Sequence, residues 1–60
     1  MNEMDQLYTV KQVAVILNVH PFTVNRWLLG GKIKGSKIGK SWQIKKSEVD
    51  YVIDNGLRKE

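Results

Sequence analysis

Two amphipathic segments separated by only three residues are the feature that most constrains the fold of this chain. In the first segment, apolar side chains recur at i, i+3, i+4 and i+7, which is the spacing of one helix face. These residues are Val10, Val13, Ala14 and Leu17. A second segment starts at Pro21, a residue suited to the first turn of a helix. Two helices joined by so short a connection predict a helix-turn-helix arrangement.

The first helix has recognisable signals at both ends. Thr9 and Gln12 have the spacing of a capping box, in which each side chain bonds the backbone N–H of the other residue. Asn18 readily adopts the left-handed conformation that ends a helix. The helix is therefore predicted over about residues 10–17.

The second helix presents two different faces. One face is predicted to lie against the core, and it carries Val24, Trp27 and Leu28. The opposite face has the same spacing and carries Phe22, Asn25, Arg26 and Leu29. Glycine is a poor helix former, so Gly30 and Gly31 are predicted to end the helix.

After these glycines the apolar pattern changes from helical to alternating. Residues 36–38 and 42–45 are predicted to form a short β-hairpin around Gly39-Lys40-Ser41. Trp42 alternates with Ile44, and we interpret both Trp42 and Trp27 as core residues rather than stacking platforms. The hairpin occupies the position of a wing.

A last helix is predicted after the hairpin. Ser47 is expected to cap it, and Glu48 and Asp50 are favourable in its first turn because of the helix dipole. Gly56 is expected to end it, with Leu57 folding back on the last turn. Its buried stripe is predicted as Val49, Val52 and Ile53. The expected fold is thus α+β, mainly helical, a small winged helix-turn-helix.

Length and composition exclude several classes of protein. With 60 residues, no cysteine and one histidine, the chain has no disulfide framework, thiolate metal site or histidine cage. No apolar run reaches the ~20 residues that span a bilayer. We expect a cytoplasmic, nucleoid-associated protein without enzymatic activity, cofactor or metal. Its single domain is predicted at 7–57, between a flexible tail at 1–6 and a short tail at 58–60.

The charges are strongly segregated along the chain. The net charge is only +4, yet residues 6–47 contain eight basic side chains and no acid. All acids lie at the two ends, at Glu3, Asp5, Glu48, Asp50, Asp54 and Glu60. A basic middle between acidic ends indicates a polyanionic partner such as nucleic acid. The alternative is a solvated, lysine-rich surface.

The stretch from Tyr8 to Ile53 resembles the excisionase-type, MerR-like winged helix-turn-helix family of DNA-binding domains. The family's T-V-x-x-V-A-x-x-L helix is present as TVKQVAVIL from Thr9, and its V-S-x-x-T-V-x-R-W segment as VHPFTVNRW from Val19. The remaining family motifs follow in order and without gaps: GKI from Gly31, KIGKSWQI from Lys37 and SEV from Ser47.

This sequence departs from the family pattern at several positions. His20 stands where Ser or Thr usually caps the second helix, and Asn18 replaces a glycine. The remaining departures place apolar groups where polar or charged ones are common, at Val15, Phe22 and Leu29. These three are candidates for contacts between neighbouring molecules on DNA.

The resemblance implies a protein that binds double-stranded DNA. Proteins of this kind act as excisionases, also called recombination directionality factors, which bend attachment-site DNA and direct an integrase towards excision. Similar domains act as small transcription regulators. Two further alternatives are a protein-interaction module with an acidic partner and an RNA-binding regulator. No membrane partner is expected.

The candidate DNA contacts on the second helix are Phe22, Thr23, Asn25 and Arg26. Arg26 has the chemistry to read a guanine edge or to hold a phosphate, and Asn25 to read adenine or to remain a polar surface residue. Thr23 is suited to a phosphate. Phe22 either touches a thymine methyl group or packs against a neighbouring helix or the wing.

The candidate contacts on the wing are Lys37, Lys40 and Ser41. A basic hairpin tip can lie over the minor groove and contact the phosphate backbone, and lysine also protects an exposed sheet edge from aggregation. His20 has two possible roles, as a phosphate donor at the start of the second helix or as its cap.

Overall fold

The computed structural model describes residues 6–58 and has the architecture of a small winged helix-turn-helix, so the predicted fold class is confirmed. Its elements in chain order are β1 Leu7–Tyr8, α1 Val10–Leu17, α2 Pro21–Leu29, β2 Ser36–Ile38, β3 Ser41–Lys45 and α3 Lys46–Asn55. Within this described part of the chain, no helix is long and apolar enough to cross a membrane.

The ends of α1 follow the local signals of the sequence. The backbone N–H of Gln12 donates to Thr9 Oγ1 at 3.2 Å, and the N–H of Thr9 donates to Gln12 Oε1 at 2.9 Å. This is the predicted capping box. Asn18 has φ 59° and ψ 46°, the left-handed conformation expected of the residue that ends the helix.

The beginning of α2 depends on an unusual cap. His20 is extended, and its Nδ1 accepts the backbone N–H of Phe22 at 3.0 Å. The imidazole nitrogen therefore replaces the hydroxyl oxygen of the usual Ser or Thr, satisfying one of the free N–H groups of the first turn. Of the two roles considered for His20, the cap is the one that the structure shows. Pro21 occupies the first turn as predicted.

The sheet has the strand order β1-β3-β2, with both pairs antiparallel. The hairpin is confirmed, although β3 begins at Ser41, one residue earlier than predicted. The strand β1 was not predicted, because two residues are too short to show an alternating pattern. Just before β1, the carbonyl of Gln6 accepts the N–H of Lys46 at 2.8 Å. The rest of the tail predicted at 1–6 lies outside the described residues.

The core lies between the helices and β3. Its fully buried centre consists of Ile44, Val13 and Val24. Around this centre lie further buried side chains, from all three helices and the segment after α2: Ala14, Leu28, Ile33, Val49 and Val52. Trp27 and Trp42 pack against this core as predicted, but both remain partly exposed. Leu57 also packs against it, which agrees with the predicted return of the chain.

Three predictions for α3 are wrong. The helix begins at Lys46 with Lys45 as its N-cap, so Ser47 lies inside the first turn rather than at the cap. For the same reason Asp50 lies beyond the first turn, which contains Glu48 but not Asp50. The reason is that β3 continues directly into α3, which leaves no loop for a capping serine. Ile53 is 56% exposed, because Glu48 rather than Ile53 accompanies Val49 and Val52 on the buried face.

Glu48 is buried because it has three strong hydrogen-bond donors. Arg58 approaches it with two nitrogens, Nε at 2.9 Å from Oε2 and Nη2 at 2.8 Å from Oε1. The backbone N–H of Lys34 donates to Oε2 at 3.0 Å. The Arg58 hydrogen bonds lower the pKa of Glu48 despite its burial, and the Lys34 bond acts in the same direction. Arg58 is thus anchored in the structure, although the sequence assigned it to the tail at 58–60.

The lowered pKa of Glu48 makes its contribution to stability depend on pH. Because the folded state favours the charged form, the contribution is complete above the ordinary value of 4.5 and is lost as the pH falls below it. We therefore expect the stability difference between wild type and Glu48→Gln to be largest at neutral pH and to shrink in acid. Urea unfolding followed by circular dichroism measures this difference. A difference that is the same at neutral and acidic pH would contradict the assignment.

Gly35 is required by close packing. A Cβ at this position would lie 2.8 Å from Leu28 Cδ2 and 3.2 Å from the backbone oxygen of Gln43. The end of the leucine can move, but the strand backbone cannot move without disturbing the hairpin. We expect Gly35→Ala to lower the free energy of unfolding by about 1–2 kcal/mol.

The matched control for this substitution is Gly30→Ala. Gly30 has φ −88° and a helical conformation, and its nearest neighbour would be the Arg26 oxygen at 3.4 Å. Alanine is compatible with that geometry, so chemical denaturation should show unchanged or slightly increased stability. Equal losses of stability in Gly35→Ala and Gly30→Ala would show that close packing does not explain why position 35 is a glycine.

Candidate nucleic-acid interface

One groove on the surface is bounded by the N-terminal ends of α1 and α2 and by the tip of the hairpin. We call it the recognition groove. Its lining consists of Thr9, Val10, Lys11, Pro21, Phe22, Asn25, Lys40, Ser41, Trp42 and Gln43. Four of the seven residues predicted to contact DNA lie in it, namely Phe22, Asn25, Lys40 and Ser41. The fold therefore brings residues from opposite halves of the chain to one surface.

The α2 side of the recognition groove is formed by Phe22 and Asn25. Phe22 is 64% exposed, so it is not buried against the neighbouring helix or the wing. Both residues lie in the N-terminal part of α2, which is the part that enters the major groove in helix-turn-helix complexes. An exposed phenyl ring can contact a thymine methyl group there, and an asparagine amide can read adenine.

The hairpin β2–β3 forms the wing. Its strands pair Lys37 with Trp42 and Ile38 with Ser41, and Gly39 turns the chain with φ 64°. Lys40 follows at the tip, where it lines the recognition groove. Lys37 Nζ lies 5.8 Å from the centre of the Trp42 ring, close enough for a cation–π contact. Lys37 is therefore part of the wing but does not line the recognition groove.

Three predicted contact residues lie outside the recognition groove: Thr23, Arg26 and Lys37. Arg26 is exposed and stands four residues after Phe22, so the two share one face of α2. Thr23 is partly buried in the first turn of α2. Arg26 therefore extends the exposed surface of α2 beyond the recognition groove.

Lys11 is a basic residue of the recognition groove that is not among the predicted DNA contacts. It is exposed in the first turn of α1 and lines the recognition groove. The available signal was its position, because the first helix of a helix-turn-helix crosses the DNA backbone. Its ammonium group is suited to a phosphate contact.

The electrostatics of the recognition groove favour an anion. Among the described residues that line it, none is acidic, whereas Lys11 and Lys40 face it from two sides. Two of the three acids of α3 have basic partners of their own. Asp50 forms an ion pair with Lys46 at 2.9 Å, and Glu48 forms one with Arg58 at 2.8 Å. Neither of these acids lines the recognition groove.

Comparison with known protein families agrees with this geometry. A family model described as a helix-turn-helix domain matches residues 7–56, which is most of the chain. The chain belongs to the helix-turn-helix domain family. This is a DNA-binding family that includes excisionase-like proteins. Neither a curated protein nor a solved structure matches this helix-turn-helix domain.

Proposed function

We propose that this helix-turn-helix domain is a sequence-specific binder of double-stranded DNA that acts as an excisionase of a phage or mobile element. The observation that carries the proposal is the recognition groove, where α2 and the wing present polar, apolar and basic side chains together. The excisionase role is supported by the MerR-like motif order along residues 8–53.

In the proposed complex, α2 lies in the major groove and the wing follows the adjacent minor groove. Phe22, Asn25 and Arg26 contact base edges, and Lys40 and Ser41 contact the backbone. Engaging two neighbouring grooves with one rigid domain favours bent DNA, because bending brings both surfaces into contact at once. The domain supplies no catalysis in this proposal, and an integrase performs the recombination that follows binding.

Neighbouring molecules on repeated sites are proposed to assist one another. Support comes from Val15 and Leu29, two large apolar side chains that are strongly exposed on the helices. Isolated apolar side chains are common on protein surfaces, so their exposure alone does not show a contact between molecules. Binding to a duplex with paired sites is the measurement that tests such a contact. Binding to a duplex with two adjacent sites should be cooperative, and Val15→Gln, which adds no charge, should reduce the cooperativity without changing affinity for one site.

The DNA-binding part of the proposal predicts a steep dependence on salt, because lysine and arginine displace condensed counterions. Lys40→Ala should weaken binding to cognate and random duplexes alike and reduce the salt slope by about one unit. Fluorescence anisotropy at several salt concentrations measures both quantities. Ile38→Ala, on the same hairpin without a charge, is the control. Affinity that does not change with salt would overturn DNA binding through this surface.

The excisionase role is tested separately from DNA binding. Footprinting across a candidate attachment site, followed by excision assays with a candidate integrase, should show repeated sites and integrase-dependent excision. The same protein should increase the bend of that DNA in a gel-mobility assay. Specific binding at a promoter, with no effect on excision, would replace the excisionase proposal with that of a small transcription regulator.

A further inference from the structure

The segment that connects α2 to the wing is held from the opposite end of the chain. We call residues 31–35 the wing linker. The backbone N–H of Arg58 donates to the carbonyl of Lys32 at 2.9 Å, and the N–H of Lys34 donates to Glu48 at 3.0 Å. From α2, the carbonyl of Trp27 accepts the N–H of Lys32 at 2.9 Å, and Ile33 is buried in the core. The bonds from Glu48 and Arg58 are two further attachments of the wing linker, and both come from outside the helix-turn-helix and the wing.

The group that holds Lys34 is itself firmly held. The Glu48 carboxylate receives both Nε and Nη2 of Arg58, a two-point geometry that fixes orientation as well as distance. The Arg58 guanidinium also lies over the Tyr51 ring at 4.0 Å from its centre. Only 8% of the Glu48 side chain and 28% of the Arg58 side chain are exposed. The acid, the arginine and the ring form one unit on α3 and its C-terminal extension.

A connecting segment that is not anchored is mobile, and ordering it on binding reduces affinity. The wing linker sets the position of the wing relative to α2, and it carries Lys32 and Lys34. We propose that Glu48, held by Arg58, is a positioning residue for DNA binding, which keeps α2 and the wing in the relative position that the duplex requires. This inference rests on the proposed DNA-binding function.

A substitution of Glu48 allows a test, because positioning and simple electrostatics predict opposite changes in DNA affinity. Glu48→Gln removes a negative charge from a protein that binds a polyanion, so electrostatics alone predicts tighter binding. Loss of the Arg58 clamp predicts weaker binding. Asp54→Asn is the matched control, because Asp54 is an exposed acid on the same helix. Arg58→Lys complements the pair, since it keeps the charge but loses the planar two-point contact.

The probe is a fluorescent duplex selected by the wild-type protein from a random DNA pool, with binding measured by anisotropy. Asp54→Asn is expected to bind as tightly as wild type or slightly more tightly. Glu48→Gln and Arg58→Lys are expected to bind about tenfold more weakly, which corresponds to the cost of ordering one or two side chains on binding. Thermal melts by circular dichroism define a temperature at which every variant is fully folded, and binding is measured there.

A loss of stability alone is separated from positioning by Val52→Ala. Val52 is buried on α3, and its truncation destabilises the core without removing a bond to the wing linker. In Glu48→Gln and Arg58→Lys, hydrogen exchange at the Lys34 amide should accelerate more than exchange at other amides. In Val52→Ala, the Lys34 amide should not accelerate more than the others. Val52→Ala should bind the duplex with wild-type affinity while folded.

The outcomes are distinguishable. If the wild-type protein binds the duplex and Glu48→Gln binds as tightly as Asp54→Asn, the positioning role is overturned. The proposed function then remains intact. A weakening by Val52→Ala equal to that of Glu48→Gln also overturns it, because stability would then explain both. Failure of the wild-type protein to bind any duplex overturns the proposed function, and the positioning role with it.

Discussion

Replacing Ile44 with alanine is expected to leave the domain largely unfolded at physiological temperature. Ile44 is completely buried in the central strand of the sheet, where β3 pairs with β1 on one side and β2 on the other. Truncation of a buried isoleucine to alanine costs about 2–5 kcal/mol. A domain of this size has a total stability of about 3–9 kcal/mol, so the loss is comparable to the whole.

The control uses the same substitution at a different depth. Ile53→Ala on α3 removes the same atoms from a side chain that is 56% exposed, and its effect should stay within about 0.5 kcal/mol. Ile44→Val, expected to cost about 0.5–1.5 kcal/mol, keeps the measurement possible if the alanine variant does not fold. Urea unfolding followed by circular dichroism compares the three. Similar losses at positions 44 and 53 would show that the core is not centred on β3.

Replacing Arg26 with alanine is expected to reduce discrimination between cognate and random DNA by about 1–3 kcal/mol. Arg26 is exposed on the face of α2 that also carries Phe22. A guanidinium that reaches a guanine edge makes two hydrogen bonds that no other base pair offers in the same geometry. Affinity for the selected duplex should therefore fall much more than affinity for a random duplex.

Arg26→Lys separates charge from geometry at this position. Lysine keeps the positive charge but lacks the planar fork, so discrimination should fall while the salt slope stays unchanged. Lys40→Ala is the reference for a backbone contact, with equal losses on both duplexes. Equal losses for Arg26→Ala on cognate and random DNA would assign Arg26 to a phosphate instead of a base.

The parts of the structure that depend on local signals were predictable residue by residue. The bounds of α1, its capping box and the left-handed Asn18 all involve residues within one helical turn of each other. The same holds for Pro21 at the start of α2. Local backbone preferences and side-chain spacing decide these features, and both can be read directly from the sequence.

The remaining parts depend on partners that are distant in the chain. The strand β1 exists because residues 7–8 pair with 44–45, and its own two residues carry no pattern. The wrong assignments of Ser47 and Ile53 have the same origin, since the direct continuation of β3 into α3 and the burial of Glu48 determine which residues of α3 face inward.

The candidate site shows the same division. Phe22, Asn25 and Lys40 were selected by residue type and motif position, whereas Lys11 lines the recognition groove with them only because of how the elements pack together. The role of Glu48 was not predictable, because its partners Lys34 and Arg58 lie 14 and 10 residues away.

By itself, the sequence determined that this chain forms two helices with a tight connection, followed by a basic hairpin and a third helix. It also determined where the positive charge lies, since charge order along a short chain survives folding. Only the tertiary structure decided which residues share the recognition groove and which acid holds the wing linker. These depend on contacts between distant segments, and burial determines which of the many possible pairs form.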